Sequence, residues 1–272
     1  MLLRRQLERE GVHLLLGAKI VRAGRRRAER VLTIEAGAGT KGERPGPGGG
    51  ASEFVFDELL VATGRAPNIE GLGLEAAGVQ TGKSGVLVDD WLRTANPRIF
   101  AAGDICSAYQ FTHAADAMAR LALRNAFFFG RARASALVIP WATYTDPEIA
   151  HVGLTAEAAA AAGGAVKTLT VAMAEVDRAI LDGETEGFAR IHLDAKSGRL
   201  LGATVVARHA GELIGTPTLA ISKQLSAAAL SAIILPYPTQ AEVWRKLGDA
   251  FQRQRLTSGV RWLLSRLIAW KR

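Results

Sequence analysis

The sequence predicts an α/β portion followed by an α+β portion, and two observations carry that reading. Between Leu59 and about Ala136, apolar runs ending in glycine or Gly-Asp, "LLVATG" at 59–64 and "RIFAAGD" at 98–104, lead into a long alanine-rich stretch closing on "NAFFFG". That is the layout of strands and helices packed in layers. After Pro140 the strands come first ("VKTLTVAM", "GFARIHLD", "LLGATVVA") and helices follow, which places helices on one face of a sheet.

Taken in order, Leu2, Leu3 and Leu7 alternate with Arg4, Arg5, Glu8 and Arg9 at helical spacing, and Gly11 stops the pattern. The segments "VHLLLG", "VLTIE", "FVFDE" and "LLVATG" are then predicted as short strands. Between the middle pair, "AGAGTKGERPGPGGGAS" holds too much glycine and proline to bury a core, and strands of one kind flank it, so it reads as a flexible hairpin tip; a domain boundary is the alternative. A short extended piece, "GVLVDD", precedes "RIFAAGD" and its helix. Beyond "VIPWATYTDPEIAHVGL", Thr155 is the expected N-cap of "TAEAAAAAG", "AKSG" joins two strands as a hairpin, and two further helices follow. The changes of pattern divide the chain into 1–65, 66–139, 140–257 and 258–272.

With 272 residues of which 49% are hydrophobic, the chain can bury one large core or two ordinary ones. Its 34 basic and 26 acidic residues give a net charge of +8, but the cluster "RAGRRRAER" at 22–30 has no aromatic residues to stack bases, so it reads as solvated surface and no nucleic-acid partner is expected. A single cysteine, Cys106, excludes an internal disulfide, a four-cysteine zinc site or a redox pair within these residues and points to a cytoplasmic setting. Cys106 itself reads as a small buried residue. His13, His151, His192 and His209 show no ligand spacing, and no metal is expected. No apolar run approaches the roughly 20 residues of a spanning helix.

The most informative stretch is "RIFAAGDICSAYQFTHAADAMAR" at 98–120. In open α/β sheets, ligands bind beyond the carboxyl ends of strands. Asp104 falls there by sequence, where a carboxylate would accept from a polyol hydroxyl, and Gly103 lets backbone approach a ligand closely. A helix starting near Thr112 would turn its free N–H groups toward an electron-rich carbonyl or an anion. The bland alternative is a carboxylate that only caps a turn. A second strand end, "ELLVATGRAPN" at 58–68, adds weight to the ligand reading.

"ATGRAPN" at 62–68 followed by "IFAAGD" at 99–104 resembles the pyridine nucleotide-disulfide oxidoreductases, the family of dihydrolipoamide dehydrogenase and mercuric reductase. The resemblance runs on through "TYTDPEIAHVGLT", "ILDGETEGFARIHLDAKSGRLLGATVVARHAGELI" and "PYPTQAE", covering about 1–257. It implies the C-terminal part of a flavoprotein with two dinucleotide-binding domains, followed by an α+β dimerisation domain. Residues 1–65 would be the end of the NAD(P)-binding domain, 66–139 the returning segment of the FAD domain and 140–257 the dimerisation domain of a homodimer. The implied cofactors are FAD and NAD(P)H. Thr63, Gly64 and Arg65 would lie beside the nicotinamide cofactor, Gly103 and Asp104 at the ribityl chain of FAD, and the backbone of Thr112, His113 and Ala114 at the flavin pyrimidine edge.

Neither G-x-G-x-x-G phosphate loop of the family is in this sequence; "GLGLEA" at 71–76 follows no apolar strand and reads as a decoy. The expectation is therefore an N-terminally truncated or split oxidoreductase that binds its dinucleotides weakly on its own, with a separate chain as one source of the other half. A non-catalytic dimerisation or binding module is the rival reading. At the substrate end, many members have a histidine five residues before a glutamate; here Tyr237 takes the histidine's place and Glu242 is kept, as in mercuric reductase. The resemblance makes these two the candidate catalytic pair, with a disulfide, a metal ion or another acceptor taking the hydride. The last residues, "VRWLLSRLIAWKR", set apolar positions and two tryptophans among basic ones, which suits peripheral contact with the inner face of a membrane or docking on the protein's own surface or its dimer mate.

Overall fold

A computed structural model describes residues 2–35, 51–128, 130–161 and 165–270. The chain separates into two compact units, Met1–Arg65 and Ala66–Arg272.

The first unit holds helix α1 (Leu2–Arg9) and an antiparallel sheet of β1 (Lys19–Arg26), β2 (Glu29–Glu35) and β3 (Ser52–Phe56) in that order. The arginine cluster is thus a hairpin: Arg25 faces Arg30 across the ladder and Arg27, at φ 56°, makes the turn. Its charges are met on the sheet surface, Arg26 by Glu29 and Glu53 at 3.1 and 2.9 Å, and Arg30 by Glu58 at 2.9 Å. β2 and β3 pair antiparallel, Val31 with Val55 and Ile34 with Ser52. The hairpin tip expected there falls at residues 36–50, outside the described residues. Two expected strands are absent among the described residues: "VHLLLG" precedes β1 as turn and coil, and Leu59–Gly64 forms no regular element and pairs with no strand. Hydrophobicity signals burial, whereas a strand also needs a ladder partner. Leu60 and Val61 are 90% and 70% exposed.

The second unit opens with a minimal hairpin, β4 (Thr81–Gly82) and β5 (Gly85–Val86), a 3-10 turn at Gly103–Ile105 and helix α2 (Thr112–Phe127). Leu92, Met118, Leu121 and Ala122 form its small core, with Phe100, Ala102 and Cys106 against it. "RIFAAGD", expected as a strand, contributes one bridge, Phe100 to Arg93, for the same reason as Leu59–Gly64.

Beyond it lies a five-stranded antiparallel sheet built from β6 (Trp141–Thr143), β7 (Glu148–Gly153), β8 (Val166–Ala172), β9 (Phe188–Asp194) and β10 (Leu200–Ala207), in the order β6-β7-β10-β9-β8. Helix α3 (Ala156–Ala161) follows β7, with the Thr155 hydroxyl accepting from the Ala158 N–H at 3.2 Å as expected of its cap. After α4 (Asp177–Leu181), the "AKSG" hairpin joins β9 to β10 as predicted. Four helices rather than two come next: α5 (Ala210–Leu213), α6 (Gly215–Ser222), α7 (Ala227–Ala232) and α8 (Glu242–Arg255). Gly215 and the Ser226 cap divide what the sequence pattern had merged. The terminal helix is α9 (Ser258–Trp270).

Ala150, Val152, Ala189, Ile191, Leu193, Ala203 and Val205 line the inner face of the sheet and pack with Val243, Trp244, Leu247 and Phe251 of α8. Alternation sends His151, His192, Thr168 and Thr204 to the other face, where His151 Nδ1 meets the Thr204 hydroxyl and His192 Nδ1 the Thr168 hydroxyl, each at 2.9 Å. Burial, followed by the charges of Arg190 and His151, holds the His192 imidazole below its ordinary pKa, and only Glu157 opposes this. The unfolded chain therefore binds more protons than the folded one between that lowered value and the ordinary value near 6.5, so stability is full above it and falls as pH drops. The melting temperature is expected to decline from pH 7.5 to 5.5, and His192→Gln should flatten that decline. Equal slopes for the two proteins would refute the assignment.

Candidate functional site

The turn at Gly103–Ile105 is held from two sides. Gly103 is buried at φ +81°, and a Cβ there would come within 2.8 Å of the Ala115 Cβ in the first turn of α2. On the other side Gly85, at φ +103°, leaves room for the Ile105 carbonyl, which a Cβ would strike. Cys106 closes the turn by donating its N–H to the Gly103 carbonyl at 3.0 Å. Asp104 is thereby fixed, half-buried, beside the start of α2. Burial pushes the Cys106 thiol up to about 11, so it stays protonated at neutral pH and is no nucleophile.

Helix α2 starts at Thr112 with no side-chain cap from Phe111. Its positive dipole end lies beside the Gly103–Ile105 turn. Thr112 and His113 are exposed and Ala114 is fully buried. The His113 ring turns away from the first-turn amides: it stacks on Phe111 at 5.4 Å and its Nε2 lies 2.7 Å from the Pro140 carbonyl. The structure thus brings together Gly103, Asp104 and the Thr112–Ala114 backbone. Thr63, Gly64 and Arg65 belong to the other unit, where all three are exposed and Gly64 sits at φ +120° with open space around a would-be Cβ. "GLGLEA" forms turns, with Gly71 and Gly73 at positive φ, and opens no helix.

At the other candidate end, Tyr237 is 70% exposed and donates its hydroxyl to Asp177 Oδ2 at 2.9 Å. That bond, then the Asp177 charge, raises the phenol's pKa. Glu242 opens α8 and is 8% exposed; Oε1 pairs with Arg245, and Oε2 is buried with no hydrogen-bond partner among the described residues. The neighbouring Gln240 is as buried, with Nε2 donating to Glu184 at 3.3 Å and Oε1 unpartnered. Sequence reasoning singled out Tyr237 and Glu242 and gave no sign of the side chains beside them, Asp177, Glu184 and Gln240. Asp177 lies 60 residues from Tyr237 in a helix of five residues, and no local pattern signals that pairing. Among the described residues, no three His, Cys, Asp or Glu side chains gather as a metal site.

Two family models match this chain: pyridine nucleotide-disulphide oxidoreductase over residues 1–119, and the dimerisation domain of the same name over 139–247. The chain belongs to the pyridine nucleotide-disulphide oxidoreductase family. Its similarity to mercuric reductase of Staphylococcus aureus is 40% identity over 187 residues, 68% of this chain and 34% of that protein. To dihydrolipoyl dehydrogenase of Thermus scotoductus it is 35% over 254 residues, 93% and 53% of the two lengths. The crystal structure of LpdA from Mycobacterium tuberculosis superposes with a TM-score of 0.79 at 25% identity, over 94% of this chain and 52% of that one. The HOCl-induced flavoprotein disulfide reductase RclA from Escherichia coli, at 23% identity and a TM-score of 0.77, shares the fold. The chain spans about a third to a half of the length of these relatives. The expected arrangement of mixed helices and sheets with a dimerisation domain is what these relatives have, and the curated relatives are oxidoreductases.

Proposed function

We propose that this chain supplies the ribityl-facing turn and the dimerisation domain of a homodimeric FAD-dependent NAD(P)H oxidoreductase whose acceptor end is like that of mercuric reductase. The observation that carries the reading is the Gly103–Asp104 turn clamped against the uncapped start of α2. A glycine at positive φ, a carboxylate and the positive end of a helix fit a polyol chain ending in a ring with carbonyl oxygens. Asp104 would accept from a ribityl hydroxyl, and the Thr112–Ala114 backbone would hold the flavin ring. Bound FAD supplies the two-electron relay between NAD(P)H and the acceptor.

Thr63, Gly64 and Arg65 would contact the nicotinamide cofactor. Residues 1–65 belong to the NAD(P)-binding domain, 66–139 to the FAD domain and 140–257 to the dimer interface. Tyr237, kept protonated by Asp177, acts as a neutral hydrogen-bond donor at the acceptor site and not as a base at neutral pH. Glu242, anchored by Arg245, leaves Oε2 to receive a proton or a hydrogen bond there. A disulfide or a soft metal ion fits such an end, and the setting is the cytoplasm. The pyrophosphate of FAD needs donors that these residues lack, and a separate chain is one source of them.

The test has two arms. The purified 272-residue chain should be colourless and leave NADPH unoxidised; a yellow, active preparation overturns the divided site. In protein tagged and purified from its own host, FAD should be present, and Asp104→Ala should weaken its retention roughly 10- to 100-fold, the worth of one charged hydrogen bond. Flavin content unchanged by that substitution overturns the role of Asp104. Absence of flavin from the native protein would favour a non-catalytic dimerisation or binding module.

A further inference from the structure

We infer that α9 is an interfacial helix by which this protein docks on an anionic lipid surface. The helix lies beyond the residues that either family model matches, and none of its residues is buried. Successive positions turn by about 100°, which puts Val260, Leu263, Leu264, Leu267, Ile268 and Trp270 on one face. These six are between 39% and 82% exposed. Arg261 and Arg266 fall at the two borders of that face, and Arg266 lies over the Trp262 ring at 4.4 Å.

Charge selects the occupant. From Gln252 to Arg272 the sequence carries Arg253, Arg255, Arg261, Arg266, Lys271 and Arg272 and no acidic residue. Two such faces from two copies would bring their arginine borders together with no carboxylate between them, whereas an anionic bilayer offers hydrocarbon to the apolar face and phosphates to its borders. At 13 residues the helix is roughly 20 Å long, too short for a hydrocarbon core of about 30 Å, so it lies in the plane of the surface. No described helix is long and apolar enough to span a membrane.

Co-sedimentation of the full chain with vesicles tests this. Wild type should pellet with phosphatidylcholine vesicles containing phosphatidylglycerol and at least about tenfold less with phosphatidylcholine alone, with the difference shrinking at high salt. Leu264→Glu/Leu267→Glu and Arg261→Glu/Arg266→Glu should each reduce pelleting roughly tenfold or more, with circular dichroism showing an intact fold. Protein that stays in the supernatant overturns the inference, as do variants that pellet like wild type or equal binding to neutral vesicles. So does concentration-dependent association beyond a dimer that the same variants abolish without any vesicle binding, because the face would then belong to a second copy.

Discussion

Trp244→Ala should lower the unfolding free energy of the second unit by about 3–5 kcal/mol, the range for deleting a buried aromatic side chain. Trp244 is fully buried in α8 against the inner face of the sheet, and its indole N–H donates to the Leu213 carbonyl at 3.0 Å. The substitution opens a cavity and strips a buried carbonyl of that partner, two penalties that add. A loss of that size is a large fraction of the roughly 5–15 kcal/mol that holds an ordinary domain folded. Trp244→Phe refills most of the space without restoring the bond and should lose about 1–3 kcal/mol. Urea unfolding followed by circular dichroism measures both. An alanine variant within about 1 kcal/mol of wild type would show that α8 contributes little to the core.

Gly103→Val should abolish stable flavin retention in the native protein. At φ +81° a β-branched side chain is a strong outlier, and its Cβ would crowd Ala115 at 2.8 Å. Relief requires the turn to lift from α2, which carries Asp104 out of register with the first-turn amides. A displacement of about 1 Å at a positioned group can reduce function roughly a hundredfold, and flavin content should fall on that scale. Gly103→Ala, without the branch, should have the smaller effect. A valine variant that keeps its full complement of flavin, with an unchanged melting curve, would refute the role given to this turn.

The sequence disclosed local turns and helix starts more readily than pairing. The turn at Gly103 and the start at Thr112 were legible because glycine and helix-start signals keep their meaning at short range. The Thr155 cap and the "AKSG" hairpin were legible for the same reason. By contrast, β1 was hidden because its arginines read only as solvated surface until Glu29, Glu53 and Glu58 are seen beside the hairpin. The segments at 12–17, 59–64 and 98–104 looked like strands because apolar runs resemble strands whether or not a ladder exists. β6 and β7 lay within "VIPWATYTDPEIAHVGL", to which the sequence reading assigned no element. The Tyr237–Asp177 bond depends on tertiary folding that local spacing cannot encode.

The order β6-β7-β10-β9-β8 separates the sequence in which these strands are synthesised from the sequence in which they can pair. β8, β9 and β10 pair in chain order, β8 with β9 across a connection that holds α4 and β9 with β10 through the tight "AKSG" hairpin, whereas β6 and β7 precede them and join the larger sheet only through β10. Closing that long loop is entropically the slow step. Until β10 arrives, the two early strands have only each other, and the growing polypeptide carries an open sheet edge with a tendency to self-associate during its own manufacture.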